Sequence, residues 1–508
     1  MKKTRIFVFT TLIFLILCGK AQAAQSTITV YFSKERGGIN NKIFGNNILG
    51  YKGNYGFGVW DAKWNKPVGN AVNLMKDANV SVLRFPGALG ANKYNWKKAV
   101  GKDRNGYLFG IDEYMDLCEQ VNAEPMFTLP YFAGDENDAA DLVEYLNATS
   151  GSNPNRGTDW GKTRAENGHA SPYDFKYFEI GNEIYHEKFK NLAIAAPDEY
   201  GRGCVKYYDA MKRVDPSIKI GISLSGVSPK WDKAVLEVVK SKMDFGVLHM
   251  YPTPVWGEKV SSIPSRRIFS ESLAQPIAKY SAMIEETQDL ISRYAGKKVP
   301  ISINEYNGGF AQEEPVPYRF CMGTALINAE MLFMFMSHGN DILTANNWNL
   351  CNEYWGMIAN GFDGTYKTLH NPYYKRPNYY VFEMYAKHFG DVLIKADVKC
   401  NSYTYKNEQI PYLSVNVSRD KEGEKIYLMV INKNMDSSET ATIYLKDFIV
   451  DSTANAWILN GPSVDATNEK DHDNVKVTNK KFVIKEDSFK FTFEPHSFTA
   501  IEIERAKN

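Results

Sequence analysis

From Ile43 onward the chain alternates short apolar runs, rich in β-branched residues, with longer segments of helical period, and it does so eight times. The runs are Ile43–Leu49, Val80–Phe85, Pro125–Leu129, Tyr177–Gly181, Ile218–Leu224, Phe245–His249, Val299–Asn304 and Ile342–Asn347. Helices are expected between them, as over Asp138–Asn147, where Ala139, Ala140, Leu142, Val143 and Leu146 recur at helical spacing. Strand and helix in strict alternation make a parallel sheet, and eight such units close it into an α/β fold of the (β/α)8 TIM-barrel type.

A chain of 508 residues exceeds what one core usually supports, so a second unit is expected. After about Asn378 the helical pattern fades, and alternating runs take over at Tyr412–Val417, Ile426–Ile431, Thr440–Leu445 and Phe489–Phe493. These predict a C-terminal all-β sandwich over residues 379–508 behind a catalytic barrel over 41–378. Residues 24–40 also alternate from Ser26 to Phe32 and are expected to return as an extra sandwich strand, while the charged stretch Asn468–Asn474 reads as a solvated loop.

The first 23 residues pair Lys2, Lys3 and Arg5 with an apolar run from Ile6 to Leu17 and end in Ala21, Gln22, Ala23. This is the pattern of a signal peptide and predicts export to the periplasm or the extracellular space. Leu17 before Cys18 departs from the small residue that precedes a lipidated cysteine. No later run approaches the roughly 18 apolar residues of a spanning helix, so no membrane span is expected. Lys plus Arg number 60 against 59 Asp plus Glu, a balance without the basic stripe that nucleic acid requires. Cys118, Cys204, Cys321, Cys351 and Cys400 are odd in number and widely spaced, which predicts mostly buried free thiols and no zinc site. The eight His are scattered, so neither a metal nor a cofactor is implied. A nucleophile elbow over Gly221–Ser225 lacks its closing Gly.

In an eight-stranded barrel the reacting groups sit at the carboxyl ends of the strands. Strand two ends at Arg84, strand four at Asn182 and Glu183, strand six at His249 and Tyr251, strand seven at Glu305 and strand eight at Trp348. Glu183 and Glu305 close two apolar runs and form a candidate pair of catalytic carboxylates. A retaining glycosidase needs such a pair about 5 to 5.5 Å apart, one protonated to assist the leaving oxygen and one ionised to attack the anomeric carbon. Arg84 near Glu305 is expected to hold it ionised, unless it serves only as a salt bridge under the rim. His249 reads equally as a core histidine, and Trp348 as a sugar platform or core filler. The partner implied is an oligosaccharide or polysaccharide.

The segments Arg84–Gly87 with Tyr94 and Trp96, Phe109–Tyr114, Ala139–Asn147, Tyr177–Glu183 and Glu305–Asn307 resemble those of the family 51 glycoside hydrolases, the α-L-arabinofuranosidase family. The resemblance implies Glu183 as general acid/base and Glu305 as nucleophile. It further implies Asn182 on the hydroxyl next to the anomeric carbon, Arg84 and Tyr251 on Glu305, and Trp348 as the floor of the sugar subsite. Two positions depart from the family pattern. Ala88 replaces the second Gly after Arg84, and the stretch Gly45–Leu49 lacks the strand-one Glu, leaving Asn46 or Asn47 to supply hydrogen bonds. The reading is a retaining exo-α-L-arabinofuranosidase, with a β-xylosidase, β-glucosidase or endo-glucanase of the same clan as the alternative. A non-catalytic carbohydrate-binding protein is a third reading.

Overall fold

The computed structural model describes residues 26–49, 58–102, 104, 106–185, 195–254, 260, 262–310, 318–352, 354–359, 373–484 and 486–506. The expected signal peptide and Cys18 lie outside them. Eight parallel strands, Gly45–Asn47, Val82–Phe85, Glu124–Leu129, Tyr177–Ile180, Lys219–Ser223, Phe245–Met250, Ile301–Tyr306 and Ile342–Asn347, form a closed barrel in which the eighth pairs with the first. They are numbered one to eight below. Strand one is shorter than its apolar run because the Asn40 side chain accepts from the Lys42 backbone N–H and winds Asn41–Phe44 into a 3-10 turn, so Ile43 precedes the strand.

The period of two sorts side chains into layers inside the barrel. Val82, Met126, Tyr177, Phe245 and Val247 form an apolar plug at the amino-terminal end of the strands. Two residues further along, Arg84, Thr128 and Glu179 replace it with a fully buried polar layer. The site rests on that layer.

Apart from three short two-stranded pairs, the remaining described strands form one nine-stranded sheet in the order Lys476–Val483, Val450–Asn460, Ser497–Arg505, Lys425–Asn432, Leu413–Arg419, Val392–Lys399, Ser26–Gly38, Glu439–Lys446, Ser488–Phe493. Ile28, Ile394, Leu428, Ile443, Phe491 and Ile501 belong to one apolar cluster, so the sheet wraps over itself as a sandwich does. The helix Met322–His338 is buried from Met322 to Met336 because it packs against both strand eight and this sheet. Within that junction, Lys433 Nζ lies 3.2 Å from Glu330 Oε1, each nearly inaccessible.

One expectation is corrected by the structure. The stretch Asn468–Asn474 is not a solvated loop throughout: Asn468 is buried and donates to the carbonyls of Lys375 and Val475, Glu469 accepts from Arg376, and His472 stacks on Tyr374. The Gly221–Ser225 segment is structural, since Ser225 Oγ accepts from the Val227 and Ser228 backbones in a turn. Cys118, Cys204, Cys321, Cys351 and Cys400 are free thiols, all but the last buried.

Candidate active site

Two local departures from regular strand geometry aim the carboxylates. After strand four the chain turns sharply, with φ of 72° at Gly181 and 49° at Glu183. Gly181 is required there, because a Cβ would lie 2.7 Å from the Ile184 side chain. Asn92 fixes the turn from both sides, accepting from Asn182 N at 2.8 Å and donating to Asn182 O at 2.7 Å. On strand seven the register against strand six slips between Ile303 and Glu305. Such a bulge lets adjacent residues face one side. Asn304 and Glu305 accordingly both point inward, Asn304 to Glu179 and Glu305 to Arg84.

Oxygens of Glu183 and Glu305 and a nitrogen of His249 all lie within 4.8 Å of one another. His249 Nδ1 is 3.0 Å from Glu183 Oε1 and 3.5 Å from Glu305 Oε2. The Tyr251 hydroxyl donates to Glu305 Oε2 at 2.6 Å, and Arg84 Nη1 donates to Glu305 Oε1 at 3.1 Å. Both Glu305 oxygens thus accept from a donor fixed by the barrel. The Glu305 side chain is 5% exposed and that of Glu183 17%, so Glu183 lies nearer the water with which a proton donor exchanges. These ligand atoms have the spacing of a metal site, but Arg84 and Tyr251 already take both oxygens of Glu305, and the fixed guanidinium would repel a cation.

Arg84 is shared. Its Nε donates to Glu179 Oε1 at 2.7 Å and its Nη2 pairs with the same carboxylate, while Nη1 and Nη2 also reach Asn47 Oδ1 at 2.8 Å and Asn182 Oδ1 at 2.6 Å. Glu179 is completed by Thr128 Oγ1 at 2.7 Å and by Asn304. Arg84 pulls the Glu305 carboxyl down as expected but does not decide the net direction. Burial is the largest influence on Glu305 and Glu183 adds to it, so the Glu305 carboxyl is pushed up although His249, Arg84 and Tyr251 pull it down. The guanidinium charge is spent mainly on Glu179.

Burial pushes the His249 imidazolium the other way, but the Glu305 and Glu183 carboxylates outweigh it and raise its pKa. The folded protein therefore holds a proton at His249 that the unfolded chain releases. That contribution to stability is complete below about pH 6.5, the unfolded value, and fades as pH rises through the folded one. The melting-temperature difference between wild type and His249→Gln is expected to be largest in acid and to shrink above neutrality, as differential scanning calorimetry across pH will register.

The other candidate residues separate cleanly. Asn182 is buried, and its Nδ2 has no hydrogen-bond partner among the described residues. The Trp348 indole lies against Gly87, where a Cβ would be 2.7 Å from Cζ3. Asn47 points into the barrel, donating to the carbonyls of Asn304, Asn346 and Asn347 as well as accepting from Arg84. Asn46 alternates to the opposite face of strand one and is not brought to the site. The sequence reading did not single out Glu179, Thr128, Asn304 or Asn92. The first two were detectable as polar residues two positions beyond apolar inward-facing ones.

Residues 74–263 match the family model described as "Alpha-L-arabinofuranosidase 1 domain", and residues 304–497 match "Alpha-L-arabinofuranosidase C-terminal domain". The chain belongs to the family 51 glycoside hydrolases. It is similar to the intracellular exo-α-L-arabinofuranosidase of Bacteroides ovatus, at 24% identity over 83% of this chain and 84% of that one. Similarity to the intracellular exo-α-(1→5)-L-arabinofuranosidase 1 of Bacillus subtilis strain 168 is also 24%, over 85% and 89%. Among solved structures, the GH51 α-L-arabinofuranosidase of Thermotoga petrophila RKU-1 superposes with a TM-score of 0.77 at 23% identity, covering 94% of this chain and all of that one. The expected export is corrected by these comparisons, since both bacterial relatives are named intracellular.

As a family 51 enzyme this chain shows what the Ala88 departure costs. Ala88 sits at φ 62°, ψ 177°, a region that only glycine enters freely. Ala88→Gly is expected to stabilise the enzyme by about 1 kcal/mol, after the greater freedom of glycine in the unfolded chain is deducted. A shift of the urea midpoint to higher concentration checks this.

Proposed function

We propose that this family 51 enzyme is a retaining exo-α-L-arabinofuranosidase that removes terminal arabinofuranosyl residues by double displacement. The observation that carries the reading is the pair of carboxylates with oxygens within 4.8 Å. At that separation no water fits between the anomeric carbon and the second carboxylate, so direct attack by the carboxylate is favoured over inversion. Glu305, deeper and held by Arg84 and Tyr251, attacks the anomeric carbon. Glu183, more exposed, gives its proton to the departing oxygen and then takes one from the water that cleaves the glycosyl-enzyme.

The supporting residues follow from their contacts. Tyr251 and Arg84 hold the attacking oxygens in line, and His249 spans both carboxylates as charge moves from one to the other. Asn182 Nδ2 reaches the hydroxyl beside the anomeric carbon, a bond that strengthens as positive charge develops there. Trp348 offers an apolar wall to the ring. The stretch Gly45–Leu49 lacks the strand-one Glu of the family pattern, and the Asn47 amide is already committed to Arg84 and to strand-end carbonyls. The glycone subsite is therefore less negative than the family pattern implies.

A panel of nitrophenyl glycosides tests the substrate. Turnover of the α-L-arabinofuranoside in preference to the β-xyloside and β-glucoside supports the reading, and preference for either pyranoside overturns it while leaving the carboxylate chemistry intact.

A further inference from the structure

An aromatic run leads away from the carboxylates along the segment that follows strand eight. The Tyr251 ring, whose hydroxyl donates to Glu305, lies 6.2 Å from that of Trp355, and Trp355 lies 5.8 Å edge-on from Tyr354. Tyr354 is 42% exposed, unusual for a ring held so firmly. The Arg319 guanidinium, itself buried, sits 3.7 Å over one face of the Tyr354 ring and donates through Nε to the Tyr354 carbonyl. A second buried arginine clamps the same segment: Arg376 Nη1 donates to the carbonyls of Asn352 at 2.9 Å and Gly356 at 2.8 Å. Glu469 of the β-sheet domain holds that arginine with both oxygens, at 2.8 and 2.9 Å.

Two buried guanidiniums thus fix a partly exposed aromatic ring two ring contacts away from Tyr251. Arg319 covers one face of the Tyr354 ring, and 42% of the residue still meets solvent. A ring preset in this way binds a flat apolar surface with little loss of side-chain entropy. The C–H face of a sugar is such a surface.

We propose that Tyr354 is a leaving-group subsite that stacks the sugar ring next to the one being cleaved. The inference rests on the exo-acting reading above: when the cleaved residue is terminal, every other sugar of the substrate belongs to the leaving group. Tyr354 is then a specificity residue that favours oligosaccharides over glycosides whose leaving group has no ring.

The test compares (1→5)-linked L-arabinotriose with α-L-arabinofuranosyl fluoride, whose leaving group cannot stack. In Tyr354→Ala the ratio of kcat/KM for the trisaccharide to that for the fluoride is expected to fall about tenfold from the wild-type ratio, and Tyr354→Phe, which keeps the ring, is expected to restore it. An unchanged ratio in Tyr354→Ala, whether both activities hold or both fall together, overturns the subsite while leaving the exo-arabinofuranosidase reading standing. Wild-type enzyme that turns over neither compound overturns that reading, and the subsite with it.

Discussion

Glu305→Gln is expected to lower kcat on every glycoside by at least about 10⁴-fold, because it removes the nucleophile that converts one difficult displacement into two easier ones. Its fold should survive, since a Gln side chain has the same shape and its carbonyl oxygen still accepts from Arg84 or Tyr251. Loss at Glu183 has a different signature. Without the acid, Glu183→Ala should lose about 10²- to 10⁴-fold on a sugar leaving group. A dinitrophenyl leaving group, which departs without protonation, should still be expelled quickly, so this variant releases a burst of phenol and then stalls at the glycosyl-enzyme. Stopped-flow measurement of the burst separates the two roles, and a burst from Glu305→Gln would reverse their assignment.

The second large effect concerns Arg84, which no surface charge can replace. It is fully buried and binds two buried carboxylates, Glu179 directly and Glu305 through Nη1. Arg84→Met strands Glu179 and takes from Glu305 one of its two donors. Removing one partner from a buried ion pair costs about 3 to 5 kcal/mol, so this variant should unfold at distinctly lower denaturant concentration and lose activity as Glu305 is left misaligned. The informative comparison is the double variant Arg84→Met, Glu179→Gln. It takes away the stranded charge and should recover much of the stability, but Glu305 still lacks its Arg84 donor, so activity should stay low. Recovery of both would reduce Arg84 to a structural tie.

How far this site was legible in the sequence depends on the range of the signal. The eight barrel strands announce themselves because each is a short apolar run between helical segments, and Arg84, Asn182, Glu183, His249, Tyr251, Glu305 and Trp348 stand out as polar or aromatic residues where those runs end. Strand one was overextended because Ile43 is apolar, and its capture in a 3-10 turn is dictated by a side chain three residues earlier. Whether Asn46 or Asn47 faces the site depends on strand phase, which Gly45 at the strand start does not reveal.

Long-range partnerships were out of reach. Glu179 looked like one polar residue in a strand, and its role rests on Arg84, 95 residues away. Glu469 stood in a charged stretch that reads as solvated, yet it accepts from Arg376, 93 residues earlier, and so bears on the segment that carries Tyr354 and Trp355. The strand-seven bulge was invisible for another reason. Alternation alone places Asn304 and Glu305 on opposite faces, and only the pairing with strand six shows both inside.

The most direct test is to incubate Glu183→Ala with dinitrophenyl α-L-arabinofuranoside and measure the mass of the intact protein, then of its proteolytic fragments. Retention through Glu305 predicts a gain of one anhydropentose, carried on the fragment that contains Glu305. A protein of unchanged mass during a measured burst, or an adduct on any other residue, contradicts the double displacement through Glu305.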